Sequence, residues 1–118
     1  MSYTLNTKAY AMDTFLNPNR VGYVGPDNAG GAVDTYVFGR TAPKATPTFR
    51  GMMKSESKLT MTQVLDDSTS AAAIITVNAS LPVGVSEAGV DDMIAKVAAW
   101  VSHADFKSLI MDRVLPKG

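Results

Sequence analysis

The sequence has no cysteine, one histidine and one tryptophan among its 118 residues. Without thiols there is no disulfide framework, no Cys-ligated metal and no cysteine nucleophile. A lone histidine, His103, cannot furnish a His-rich metal centre, and no nucleophile–base grouping can be assembled around it. No catalytic residue, metal ligand or cofactor is therefore expected, and the chain is not read as an enzyme. Long apolar runs are missing as well. The longest, Ala71 to Ile75, is far too short to span a bilayer, and the opening Met1-Ser2-Tyr3-Thr4-Leu5-Asn6-Thr7-Lys8 contains no signal-peptide core. The expectation is a protein made in a cytosol and left there, with no membrane partner. An excess of one charge is absent too, with 11 Lys+Arg against 11 Asp+Glu. That balance argues against generic nucleic-acid binding, in which a basic excess supplies the affinity.

What is present is ordinary globular material, 46% hydrophobic and 19% charged, too apolar for disorder. The length fits one domain spanning 1–118. Its core would be small, so association would help it. Two regimes meet near Pro82. Before it, short alternating runs give strand candidates at Tyr3–Ala11, Met12–Leu16, Arg20–Val24, Val33–Arg40, Phe49–Leu65 and Ala72–Leu81. Gly, Pro, Asn and Asp punctuate them, and connections this short favour antiparallel neighbours. The first two candidates read equally as one bent strand or a hairpin. Asp66-Asp67-Ser68 reads as a turn, and Gly25–Gly31 as a flexible one that lacks the strand–Lys–helix context of a phosphate loop.

After Pro82 the spacing is helical. Ser86 is an N-cap candidate, with Glu87, Asp91 and Asp92 near the positive end of the helix dipole. Val90, Ile94, Val97 and Val101 form a stripe that Met93 and Trp100 widen. Ser102-His103-Ala104-Asp105 looks like a capping box opening a second helix, with His103 near the junction as a C-terminal cap or a surface residue. Phe106, Leu109, Ile110 and Val114 face inward along that second helix until Pro116 stops it. The fold class is α+β: an antiparallel sheet over 1–82, then two helices over 86–115. These elements carry more apolar surface than one small layer pair hides, and Ala72–Leu81 would be a hazardous free edge. A two-fold dimer joining sheets edge to edge, with Val90, Met93, Ile94, Val97, Trp100 and Val101 packed across the partner, resolves both.

Several segments resemble the coat proteins of single-stranded RNA bacteriophages, the levivirus-like capsid proteins. They are Tyr3-Thr4-Leu5-Asn6-Thr7-Lys8, Asp13-Thr14-Phe15, Arg40-Thr41-Ala42-Pro43-Lys44, and Ser80-Leu81-Pro82-Val83-Gly84 followed by an amphipathic helix. The resemblance covers the chain in order and layout. It implies an N-terminal hairpin, a five-stranded antiparallel sheet and two C-terminal helices. Two such subunits interlock as a homodimer with a ten-stranded sheet, each one's helices covering the partner. The resemblance further implies self-assembly into an icosahedral virion shell, usually T=3, around an RNA genome in the bacterial host cytoplasm. The sheet would face inward and grip an RNA hairpin that represses replicase translation.

Within the neutral total, Arg40 to Lys58 holds Arg40, Lys44, Arg50, Lys54 and Lys58 against one acid, Glu56. Lys54 and Lys58 share a strand face with Thr60 and Thr62, and Thr76 and Asn78 would extend it on the next strand. With Arg40, these are the candidate RNA contacts, suited to phosphate, sugar and unstacked bases. Glu56 is awkward for RNA and is expected to pair with Lys54 or Lys58. The bland reading of the same residues is a solvated sheet face with edge lysines that discourage aggregation. The alternative function is a small dimeric RNA- or ligand-binding regulator that forms no shell.

Overall fold

The computed structural model describes residues 2–116, with the side chains of residues 2 and 13–16 outside the description. Six strands precede two helices: β1 (Ser2–Leu5), β2 (Lys8–Asn17), β3 (Arg20–Val24), β4 (Asp34–Thr41), β5 (Met52–Val64), β6 (Ser70–Pro82), α1 (Glu87–Val101) and α2 (Ala104–Asp112). The strands form one sheet in the order β1-β2-β3-β4-β5-β6, every neighbour antiparallel. The expected hairpin is present and runs on into the sheet as its first two strands. The chain divides into two compact units, residues 1–83 and 84–118.

Local chemistry accounts for the breaks. Asn6 (φ 50°) and Thr7 (φ 66°) are both left-handed, which makes a tight hairpin turn between Leu5 and Lys8. The expected strand Tyr3–Ala11 is therefore split, and its second half continues through Met12–Leu16 as β2. Of Asp13, Thr14 and Phe15 only the backbone is described. The register of β2 on β3 shifts between Met12 and Thr14 and again between Phe15 and Asn17. At the next turn Asn17 Oδ1 accepts from Asn19 N at 2.8 Å. β5 starts three residues later than its candidate because Gly51 adopts φ 98° against the Lys44 backbone. A Cβ there would stand 2.6 Å from Lys44 O. The β5–β6 connection is a turn, as expected: Asp67 Oδ1 accepts from Thr69 N at 3.1 Å and from Thr69 Oγ1 at 2.6 Å. Those two bonds hold the Asp67 carboxyl below the usual carboxylate range.

The two sheet faces differ in chemistry, as alternation requires. On one, Tyr23 meets Phe38 at 5.6 Å between ring centroids, Tyr36 stacks on Phe38 at 4.8 Å, and Tyr3 and Tyr10 close the cluster. Each such pair adds ~0.5–1.5 kcal/mol beyond the area it buries. Tyr10 and Tyr23 are the buried apolar side chains among the described residues. Asp34 is fully buried among them. Its Oδ1 accepts the Tyr10 phenol at 2.6 Å, its carbonyl accepts Gly25 N at 2.8 Å, and its own N–H donates to Asn28 Oδ1 at 3.0 Å. These bonds close the base of the Gly25–Gly31 loop, whose composition predicts a flexible turn.

In the second unit Ser86 caps α1, its side chain accepting from Gly89 N at 3.2 Å. The capping box expected at Ser102 is not formed. Ser102 is the C-cap of α1, its Oγ donating to Ala98 O at 2.6 Å. His103, expected as a C-terminal cap or a surface residue, is exposed and opens the second helix: its Nδ1 accepts from Asp105 N at 3.0 Å. Imidazole nitrogen thus does what a hydroxyl oxygen usually does. α2 ends at Asp112, before Val114 and Pro116, because Arg113 turns left-handed at φ 56°. No residue of either helix is buried, and Met93, Ile94, Val97 and Val101 line α1 as an exposed apolar stripe.

Candidate nucleic-acid interface

Strand register assembles the site on the face opposite the aromatic cluster. Across β5 and β6, Lys58 stands beside Thr76, Glu56 beside Asn78, and Lys54 beside Ser80. Lys54, Lys58, Thr60, Thr62, Thr76 and Asn78 therefore share one face, as strand alternation predicts. Thr62 has a local task too: its Oγ1 accepts from Val33 N at 2.8 Å, leaving its hydroxyl hydrogen free to donate. Ile74, beside Thr60, is an exposed apolar residue on this otherwise polar surface.

Arg40 starts from the other face of the sheet. It pairs with Ser55, and so projects from the face that carries Tyr36 and Phe38. Its guanidinium donates to Asn19 Oδ1 at 3.4 Å and to Pro18 O at 3.3 Å, bracing the β2–β3 turn. Glu56 pairs with neither lysine. Its partner is Arg20, Nη2 to Oε1 at 3.4 Å. Arg20, Gly39, Glu56 and Asn78 form one row across four strands, and the missing side chain of Gly39 lets Arg20 reach over it. Among the described residues Lys54 and Lys58 have no salt bridge, so both ammonium groups are available to an anion. An open hollow of about 280 Å³ lies along this row, between Arg20, Gly39, Lys54, Glu56, Asn78 and Ser80, and Arg40 lines it as well. It combines cations suited to phosphate with the Asn78 amide, a group able to hydrogen-bond a base edge. The sequence reading missed Arg20, and its one signal is a glycine at a strand position opposite.

The proposed dimer residues lie on α1. Met93, Ile94, Val97 and Val101 are 53%, 61%, 50% and 46% exposed. Trp100 differs, being half-buried in its own helical unit, stacked on His103 and edge-on to Phe106, both at 6.0 Å between ring centroids. At the outer edge of the sheet, β6 pairs only with β5 among the described residues, over thirteen residues. Its second side carries unpaired backbone groups.

A six-stranded antiparallel sheet followed by two C-terminal helices is the fold of levi-like virus coat subunits. The chain superimposes on the virus-like particle protein of Beihai levi-like virus 32 with a TM-score of 0.83, at 16% identity, over 97% of this chain and 92% of that one. It matches that of Wenzhou levi-like virus 4 at 0.80, with 18% identity over 100% and 89%. For bacteriophage AVE019 the score is 0.77, with 13% identity over 99% and 96%. No protein-family model and no curated protein sequence matches the chain. No described helix is long and apolar enough to cross a membrane.

Proposed function

We propose that this chain is a capsid subunit that forms a homodimer and assembles into an icosahedral shell around single-stranded RNA. The observation that carries this reading is the near full-length superposition on virus-like particle subunits. The chemistry of the two faces agrees with it. The polar face offers free lysines, hydroxyls and Asn78 to RNA, with Glu56 neutralised by Arg20. The long β6 edge and the apolar stripe of α1 suit a second copy, with strand joined to strand and helix laid on the partner's sheet. An RNA hairpin held on the same face would give the subunit a repressor role as well. Expressing the chain alone tests the proposal. Uniform closed particles in electron micrographs are expected, whereas dimers without particles at high concentration would favour a shell-less regulator.

A further inference from the structure

The β4–β5 loop, residues 42–51, is not used by the sheet face. From Arg40 to Lys54 the chain carries four cations, Arg40, Lys44, Arg50 and Lys54, and no acid. The loop is built by its own bonds: Thr46 N donates to Phe49 O at 2.6 Å and Phe49 N to Thr46 O at 3.3 Å. Its base is pinned where Val83 N donates to Gly51 O at 3.0 Å, with the buried Gly51 pressed on the Lys44 backbone. The Phe49 backbone is thereby held by two bonds, while the residue remains 48% exposed. It forms one wall of an open cleft of about 390 Å³, completed by Thr41, Lys44, Gly51, Met52 and Lys54. Lys54 also lines the hollow along the Arg20–Asn78 row, so the two depressions adjoin at that side chain.

The geometry points to a second, loop-borne RNA subsite that holds one unpaired nucleotide, its base against Phe49 and Met52 and its phosphates between Lys44 and Lys54. This inference rests on the RNA-binding reading of the polar face and extends it by a stacking site. An exposed aromatic beside free cations matches single-stranded nucleic acid, because every base has a π-face and every link a charge. A preformed loop loses little entropy on binding. The local charge, positive with no acid, favours RNA over a second copy of this neutral chain.

The test measures binding of short fluorescent oligoadenylate, and of an abasic ribose-phosphate strand of equal length, to the full-length assembled dimer. Phe49→Leu should weaken oligoadenylate about fivefold or more, the low end of what one stacked base contributes, and leave the abasic strand unchanged. Phe49→Tyr should restore binding, and Lys44→Ala should weaken both strands alike. Equal affinity of wild type and Phe49→Leu for oligoadenylate, with Lys58→Ala still weakening it, would overturn the subsite and leave the sheet-face reading standing. Absence of binding by the wild type would overturn both. Loss of closed particles in Phe49→Leu with unchanged oligoadenylate affinity would make the loop a subunit contact and overturn the subsite.

Discussion

The Arg20 guanidinium lies over Gly39 and meets the Glu56 carboxylate two strands away, Nη2 to Oε1 at 3.4 Å. The absence of a side chain at position 39 eases this path, since a Cβ there would stand 3.2 Å from Arg20 Nη1 and push the guanidinium aside by a few tenths of an ångström. Both partners are more than a third exposed, so the pair contributes only ~0–1 kcal/mol to stability. Its effect is on the charge of the surface: it cancels the acid on the polar face and leaves Lys54 and Lys58 unopposed.

That arrangement predicts opposite effects for its two members. Arg20→Ala exposes Glu56 and should weaken RNA binding with little change in melting temperature. Glu56→Gln should strengthen binding by roughly two- to fivefold, the size of one nearby unit charge in high dielectric. RNA titrations at several salt concentrations check both. Equal affinities for the two variants would remove the pair from the account.

Tyr10 and Asp34 predict an alkaline limit to stability. Burial, and then the hydrogen bond given to Asp34, pushes the Tyr10 phenol up from 10.0 to about 12. The fold therefore favours the neutral phenol. This contribution is complete below about pH 10 and drains away as pH rises toward about 12. Tyr10→Phe should abolish that pH-dependent component. It should also lower stability at neutral pH by about 1–3 kcal/mol, because a buried acceptor loses its donor and Asp34 Oδ2 has no hydrogen-bond partner among the described residues. Urea denaturation across the pH range measures both effects.

Gly25 closes the same cluster. A Cβ there would stand 2.3 Å from Asp34 Oδ2 and 2.7 Å from Tyr10 Cε2. Gly25→Ala should therefore cost roughly 1–3 kcal/mol, the usual penalty for overpacking. An unchanged urea midpoint would show that the carboxylate moves aside freely.

The helix stripe separates folding from association. Val97 is half-exposed, so Val97→Asp should preserve helix content by circular dichroism while abolishing the proposed dimer in light scattering. Trp100→Asp is a poorer probe, because it also removes the packing against His103 and Phe106 at the α1–α2 junction. A Val97→Asp protein that remains dimeric would take α1 out of the interface.

Much of this architecture is legible along the chain. Alternation marks β3 to β6, the four-three-four spacing marks α1, and Ser86 marks its start. What escapes depends on partners distant in sequence. Asn6-Thr7 gives no hairpin signal because a β-branched residue is disfavoured in the left-handed region, so β1 and β2 merge on paper. The face of Arg40 relative to Lys54 depends on the β4–β5 register, and the loop between them hides that register from any count of parity. Arg20 gains its role from Gly39 on the neighbouring strand, and Asp34 its burial from Tyr10 on a strand 24 residues earlier. His103 caps a helix through a ring nitrogen, which composition does not distinguish from a surface histidine.

The central claim is that the polar sheet face meets RNA while the apolar surfaces meet protein. Nuclease-protected RNA per subunit, measured in purified wild-type and Lys54→Glu/Lys58→Glu material, tests it most directly. The double variant is expected to keep the assembly state of the wild type and to retain clearly less RNA. Unchanged RNA content would place these lysines away from the nucleic acid and contradict it.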